Sequence, residues 1–108
     1  MERGFNESDW KLFRKKVPGW QEAFMERLVG EYAALLTGEG KASDKFWALE
    51  ERIKKDRRLT GVIIEMSRSK MEMNILKLLG EGAITQDDLS EFSEDLRERI
   101  AFICSFWD

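Results

Sequence analysis

Large apolar residues recur every three or four positions along most of this chain, and that period admits helices and little else. Trp10, Phe13 and Val17 share one face. Trp20, Phe24, Leu28, Tyr32 and Leu35 form a second stripe, widened by Met25, Val29 and Leu36. Phe46, Leu49 and Ile53 form a third, with Trp47 on its flank. Leu89, Phe92, Leu96, Ile100 and Ile103 make the last. The run Val62-Ile63-Ile64 has strand propensity, yet no partner strand exists elsewhere in the chain, so it is read as helical. The pattern predicts an all-α fold.

Residues that cap or break helices set the expected boundaries. Asn6 or Ser8 can cap the first helix by accepting from free backbone N–H groups. Pro18, the single proline, disfavours helical geometry at Val17, so a break or a sharp kink is expected there, with a short N-terminal helix before it and a second starting on Pro18. Gly38-Glu39-Gly40 ends that second helix. Ser43 is expected to cap the third, which closes on Lys54-Lys55-Asp56-Arg57-Arg58, cations suited to the negative end of a helix dipole. The fourth should run from Thr60 or Gly61 to Leu79 as the central, most apolar helix. Thr85 caps the last, with Asp88 at the capping-box position. Short loops favour antiparallel neighbours. The expectation is one domain over residues 1–108: an antiparallel bundle of four main helices plus the short N-terminal one.

Composition excludes more functions than it indicates. There is no histidine among 108 residues, which removes the usual general base and the commonest transition-metal ligand. No phosphate loop, nucleophile elbow or CxxC occurs, so neither an enzyme nor a cofactor is expected. The single cysteine, Cys104, forbids an internal disulfide and fits a reducing compartment. Its apolar neighbours predict a buried, inert thiol. No stretch approaches the roughly 20 apolar residues of a membrane span, so a cytoplasmic protein is expected. Net charge is −3, giving no global pull toward nucleic acid or anionic lipid. The charge is uneven: residues 41–58 hold seven cations against four acids, and residues 81–108 hold eight acids against two arginines. Side by side in a bundle, these segments would attract.

Four constellations are candidates for function. Asp87, Glu91, Glu94 and Glu98 follow helical spacing and would line one face, where a hard cation could bind. A solvated face is the simpler reading, because Arg97 and Arg99 interleave. Lys54, Lys55, Arg57 and Arg58 could contact phosphates, although Asp56 interrupts them and Glu50 and Glu51 lie upstream to pair with them. Arg68, flanked by Ser67 and Ser69, interrupts the expected central helix. Buried there it would need an acid, with Glu22 or Glu50 the nearest choices, and these three residues are the best candidates for an anion or partner contact. The fourth is aromatic. Four tryptophans are many for 108 residues, and Trp47 is a candidate partner contact. The terminal run Phe102, Ile103, Phe106 and Trp107 is less easily hidden within one chain: it either clips over the bundle or packs against a second copy, with Phe106 and Trp107 the candidate contacts.

Three segments resemble a group of short bacterial proteins without an assigned role: Asp9-Trp10-Lys11-Leu12-Phe13-Arg14, Pro18-Gly19-Trp20-Gln21-Glu22, and Phe46-Trp47-Ala48-Leu49-Glu50-Glu51-Arg52-Ile53-Lys54, with Met66-Ser67-Arg68-Ser69 part of the same pattern. Some members are labelled multidrug transporters, which conflicts with a chain lacking a membrane span. The resemblance implies a small cytosolic bacterial protein. The function expected is a non-enzymatic interaction or accessory module, with self-association as one mode of binding. The alternative is a nucleic-acid-associated protein using the basic cluster at 54–58.

Overall fold

A computed structural model describes residues 6–106. It is all-helical, with no strand among the described residues. Four α-helices follow in order: α1 (Glu7–Thr37), α2 (Ala42–Asp56), α3 (Met71–Gly80) and α4 (Glu94–Cys104). Short 3₁₀ turns at Arg68–Lys70 and Gln86–Leu89 precede α3 and α4. No helix is long and apolar enough to cross a membrane among the described residues.

α1 begins where Asn6 caps it: the Asn6 side chain accepts from the Asp9 backbone N–H at 2.8 Å. It then runs 31 residues, straight through Pro18. The expected helix boundary at Pro18 is therefore absent, and the two helices anticipated there are one. Proline removes a single backbone donor and crowds the carbonyl one turn back. Pro18 itself faces solvent, while its neighbour Val17 is buried in the core. The apolar stripe before Pro18 and the stripe after it both have partners to bury against, so tertiary packing outweighs the local penalty.

The expected central helix over 60–79 is also corrected. Thr60 to Val62 form a turn, 63–67 are irregular, and α3 is only the ten residues from Met71. Leu59 and Asp56 carbonyls accept the turn's backbone donors instead of a helical ladder. Thr85 and Asp88 do form the anticipated capping box, but it starts the 3₁₀ turn, and Ser93 caps α4 separately. α2 likewise starts two residues earlier than expected, with Lys41 preceding it and no cap from Ser43.

The core lies at one end of the molecule. Trp10, Phe13 and Val17 from α1 meet Met71, Ile75, Leu76 and Leu78 from α3, Ile84, Leu89 and Phe92 from the connections, and Leu96 and Ile100 from α4. Trp20 caps this cluster, edge-on to Phe13 with ring centroids 6.2 Å apart. Each fully buried large side chain contributes about 2 kcal/mol. α2 adds no apolar residue to the core; its only buried residue is Asp56. The four helices are thus not one bundle. The N-terminal half of α1 packs with α3 and α4, and its C-terminal half extends beyond them with α2 alongside. The molecule is long, 59 × 28 × 19 Å, with a radius of gyration of 16.7 Å against about 13 Å for a compact domain of this length.

Polar side chains tie the pieces together. Asp9, buried at the start of α1, accepts from the Ser93 backbone N–H at 2.9 Å and from its hydroxyl at 2.6 Å. Glu81, just past α3, accepts the backbone N–H groups of Thr60 and Gly61 at 2.9 and 3.0 Å. Gln21 donates to the Thr60 carbonyl at 3.1 Å, and Asn74 donates to the Glu65 carbonyl at 3.0 Å. These bonds satisfy an irregular segment that has no ladder of its own.

Candidate functional site

α1 and α2 form a hairpin across the loop 38–41, where Gly40 holds φ at +132°, a conformation that favours glycine. The pairings prove it antiparallel. Glu31 meets Arg52, Tyr32 meets Asp56, and Gln21 meets Thr60, so earlier residues of α1 pair with later residues of α2 and of the turn that follows it. At its base the hairpin closes on Gly61. A Cβ there would stand 2.3 Å from the buried Phe24 ring, so only glycine lets the chain pass so near.

One side of this arm is polar. Arg52 donates to Glu31 at 2.7 Å, lies 3.2 Å from Asp56, and stacks over the Tyr32 ring with 5.2 Å to its centroid. The hydrogen bond to Glu31 raises the Arg52 pKa still further, and the neighbouring Asp56 carboxylate adds to it. The Tyr32 hydroxyl donates to Asp56 at 2.6 Å. Burial first, then this bond to a carboxylate, pushes the Tyr32 pKa up to about 12. The network fixes the two helices against each other without using their apolar residues.

The other side is apolar and uncovered. At about 100° per residue, Val29 and Leu36 project on the same flank of α1, and Phe46 and Ile53 on the matching flank of α2. In an antiparallel pair these flanks face the same way. Val29 is 61% exposed, Leu36 43%, Phe46 61% and Ile53 42%. Half-buried Met25, Tyr32, Leu35 and Leu49 fill the floor between them. Near the base, Met25, Leu28, Val29, Ile53 and Val62, together with Tyr32, Asp56 and Arg57, line an open hollow of about 210 Å³, the size of one large side chain. Trp47 stands at the outer margin, edge-on to Phe46 with centroids 4.8 Å apart. The sequence pattern assigned Phe46, Leu49 and Ile53 to a core. What separates them from a core stripe is that α2 has few other large apolar residues in its 15, enough for one contact line with α1 and no second neighbour.

The remaining candidates scatter. Lys54, Lys55, Arg57 and Arg58 are all exposed at the end of α2, and none forms an ion pair with a described residue. They fan around the helix end rather than lining one face. Arg68 is surface-exposed on the 3₁₀ turn and pairs with Glu7, not with Glu22 or Glu50. The buried setting in which Arg68 would need an acid from Glu22 or Glu50 does not arise, because the expected central helix does not form there. Ser67 and Ser69 hydroxyls lie 3.1 Å apart beside it. The row Asp87, Glu91, Glu94, Glu98 does not share a helix, because the turn at 90–93 divides it, and Glu91 pairs with Lys16 at 3.0 Å. No cluster of three metal-ligating side chains occurs among the described residues. Phe102 and Phe106 form an exposed edge-on pair at the end of α4, centroids 5.0 Å apart. Cys104 between them is half-buried rather than fully buried. Trp107 lies outside the described residues.

Comparison with known protein families, with curated proteins and with solved structures found no match. The resemblance to the short bacterial proteins rests on its sequence segments alone.

Proposed function

We propose that this chain is a non-enzymatic interaction module of the bacterial cytoplasm that docks a protein partner on the apolar side of its helical arm. The observation supporting this reading is the uncovered face formed by Val29, Leu36, Phe46 and Ile53. Contiguous apolar surface of this kind is costly to leave in water and marks a contact site, and the exposed Phe46 on its flank supplies a large area for one side chain. The face is held open by a fold that does not need it: the core is complete without α2.

The exposed cations Lys54, Lys55, Arg57 and Arg58 support a second reading, contact with nucleic acid. One experiment separates the two. Tagged protein is captured from a native extract with and without nuclease, alongside the variant Phe46→Glu/Ile53→Glu. The docking reading expects partners that survive nuclease and disappear with the variant. Partners that vanish with nuclease and persist with the variant would replace it with the nucleic-acid reading. Because both side chains are exposed, circular dichroism of the variant should match the parent.

A further inference from the structure

Building on the docking reading, we infer that the occupant of the arm's apolar face is a second copy of this chain, related by a two-fold axis, so that two hairpins pack into an intermolecular four-helix bundle. Size sets the expected strength of the contact. The 15 residues of α2 span about 22 Å, and two helices side by side are about 20 Å wide. Such a face has a footprint of about 440 Å² per partner before side-chain relief, which places it among the small, weak interfaces rather than those of standard size.

Charge supplies the partner's identity. Glu22 and Glu26 rim the α1 edge of the face, and Lys54 and Arg57 rim the α2 edge, all exposed. They occupy opposite margins of the hairpin, and none of the four forms an ion pair within the described chain. A two-fold interface requires a patch complementary to itself. Rotation about an axis parallel to the hairpin lays α1 of one copy over α2 of the other. The acidic margin of each then meets the basic margin of its partner, with Glu26 level with Arg57 because Glu31 is level with Arg52 and Gln21 with Thr60. Glu50, also on the α2 margin, sits nearer the tip and remains in solvent. An axis crossing the hairpins would instead set α1 against α1 and leave acid facing acid.

Sedimentation equilibrium across micromolar to high micromolar concentrations tests this. The expected mass rises from 12.7 kDa toward twice that value. Glu26→Arg or Arg57→Glu alone should weaken association about tenfold, by placing like charges together. Combining them should restore it, and Val29→Ser/Ile53→Ser should abolish it with helicity unchanged. A parent chain monomeric at every concentration overturns the second copy as occupant, while nuclease-resistant capture lost in Phe46→Glu/Ile53→Glu would leave the docking reading standing with a different protein in its place. Dimerisation insensitive to all of these variants also overturns the proposal, by placing the contact elsewhere, with the exposed Phe102 and Phe106 pair the next surface to substitute.

Discussion

Single residues carry the joints of this molecule. Gly61 is required by distance, since any Cβ would collide with Phe24. Gly61→Ala should destabilise the fold by about 1–3 kcal/mol, read as a fall in the thermal midpoint. The same change beside Phe24→Leu should cost less than the sum of the two alone. Tyr32 makes a second prediction. Its pKa is raised from 10.0 to about 12 in the folded state, so the native protein holds a proton that the unfolded chain has lost. Its contribution to stability is complete below pH 10 and declines as pH climbs from 10 to 12. The chain has one tyrosine, so phenolate absorbance titrates it alone. The midpoint should fall back toward 10 in denaturant, and Tyr32→Phe should lack this part of the alkaline loss.

At the scale of elements, continuity of α1 is the feature that composition hides. Pro18 sits twelve residues into a helix of 31 and is retained at a local cost. Pro18→Ala restores a backbone donor and relieves the carbonyl crowding. It also loosens the unfolded chain, which offsets part of the gain. A net stabilisation of about 1–2 kcal/mol is expected in urea unfolding. A decrease would mean that the proline's stiffening of the unfolded chain outweighs the restored donor. Glu81 is the matching element-scale clamp, because its carboxylate alone accepts both backbone donors of the turn at the arm's base. Glu81→Ala should leave the core's hydrogen-exchange protection intact while α2 amides exchange faster, since the arm then opens without unfolding α3 and α4. Equal loss of protection in both parts would show that arm and core unfold as one unit.

For the whole molecule, shape is the consequence of how few helices share the core. A radius of gyration of 16.7 Å should be recovered by small-angle X-ray scattering from dilute solution. A value near 13 Å would show α2 folded back onto the core. An arm that projects from a finished core offers a surface without disturbing the fold that presents it, which is the property an interaction module needs. Self-association through that surface would explain why its apolar residues persist in water-facing positions.

Much of this was legible in the chain before folding. Helical periodicity, the Asn6 cap, the Thr85–Asp88 box and the Leu96–Ile100 face of α4 depend on neighbours within one turn, and their physics is local. The exposure of the 54–58 cations followed from charge alone. Three features did not follow. Thr60 to Ser67 has the residues of a helix, yet its backbone is claimed by side chains from other elements: Glu81 and Gln21 hold Thr60 and Gly61, and Asn74 holds the Glu65 carbonyl. Pro18 reads as a break, yet burial on both sides of it holds one helix. Phe46 and Ile53 read as core, yet whether an apolar stripe is buried depends on how many helices reach it, and the loss of the central helix left α2 with one neighbour. Period sets which face of a helix is apolar; only the tertiary arrangement decides whether that face is covered, because covering it takes a partner that sequence spacing does not specify.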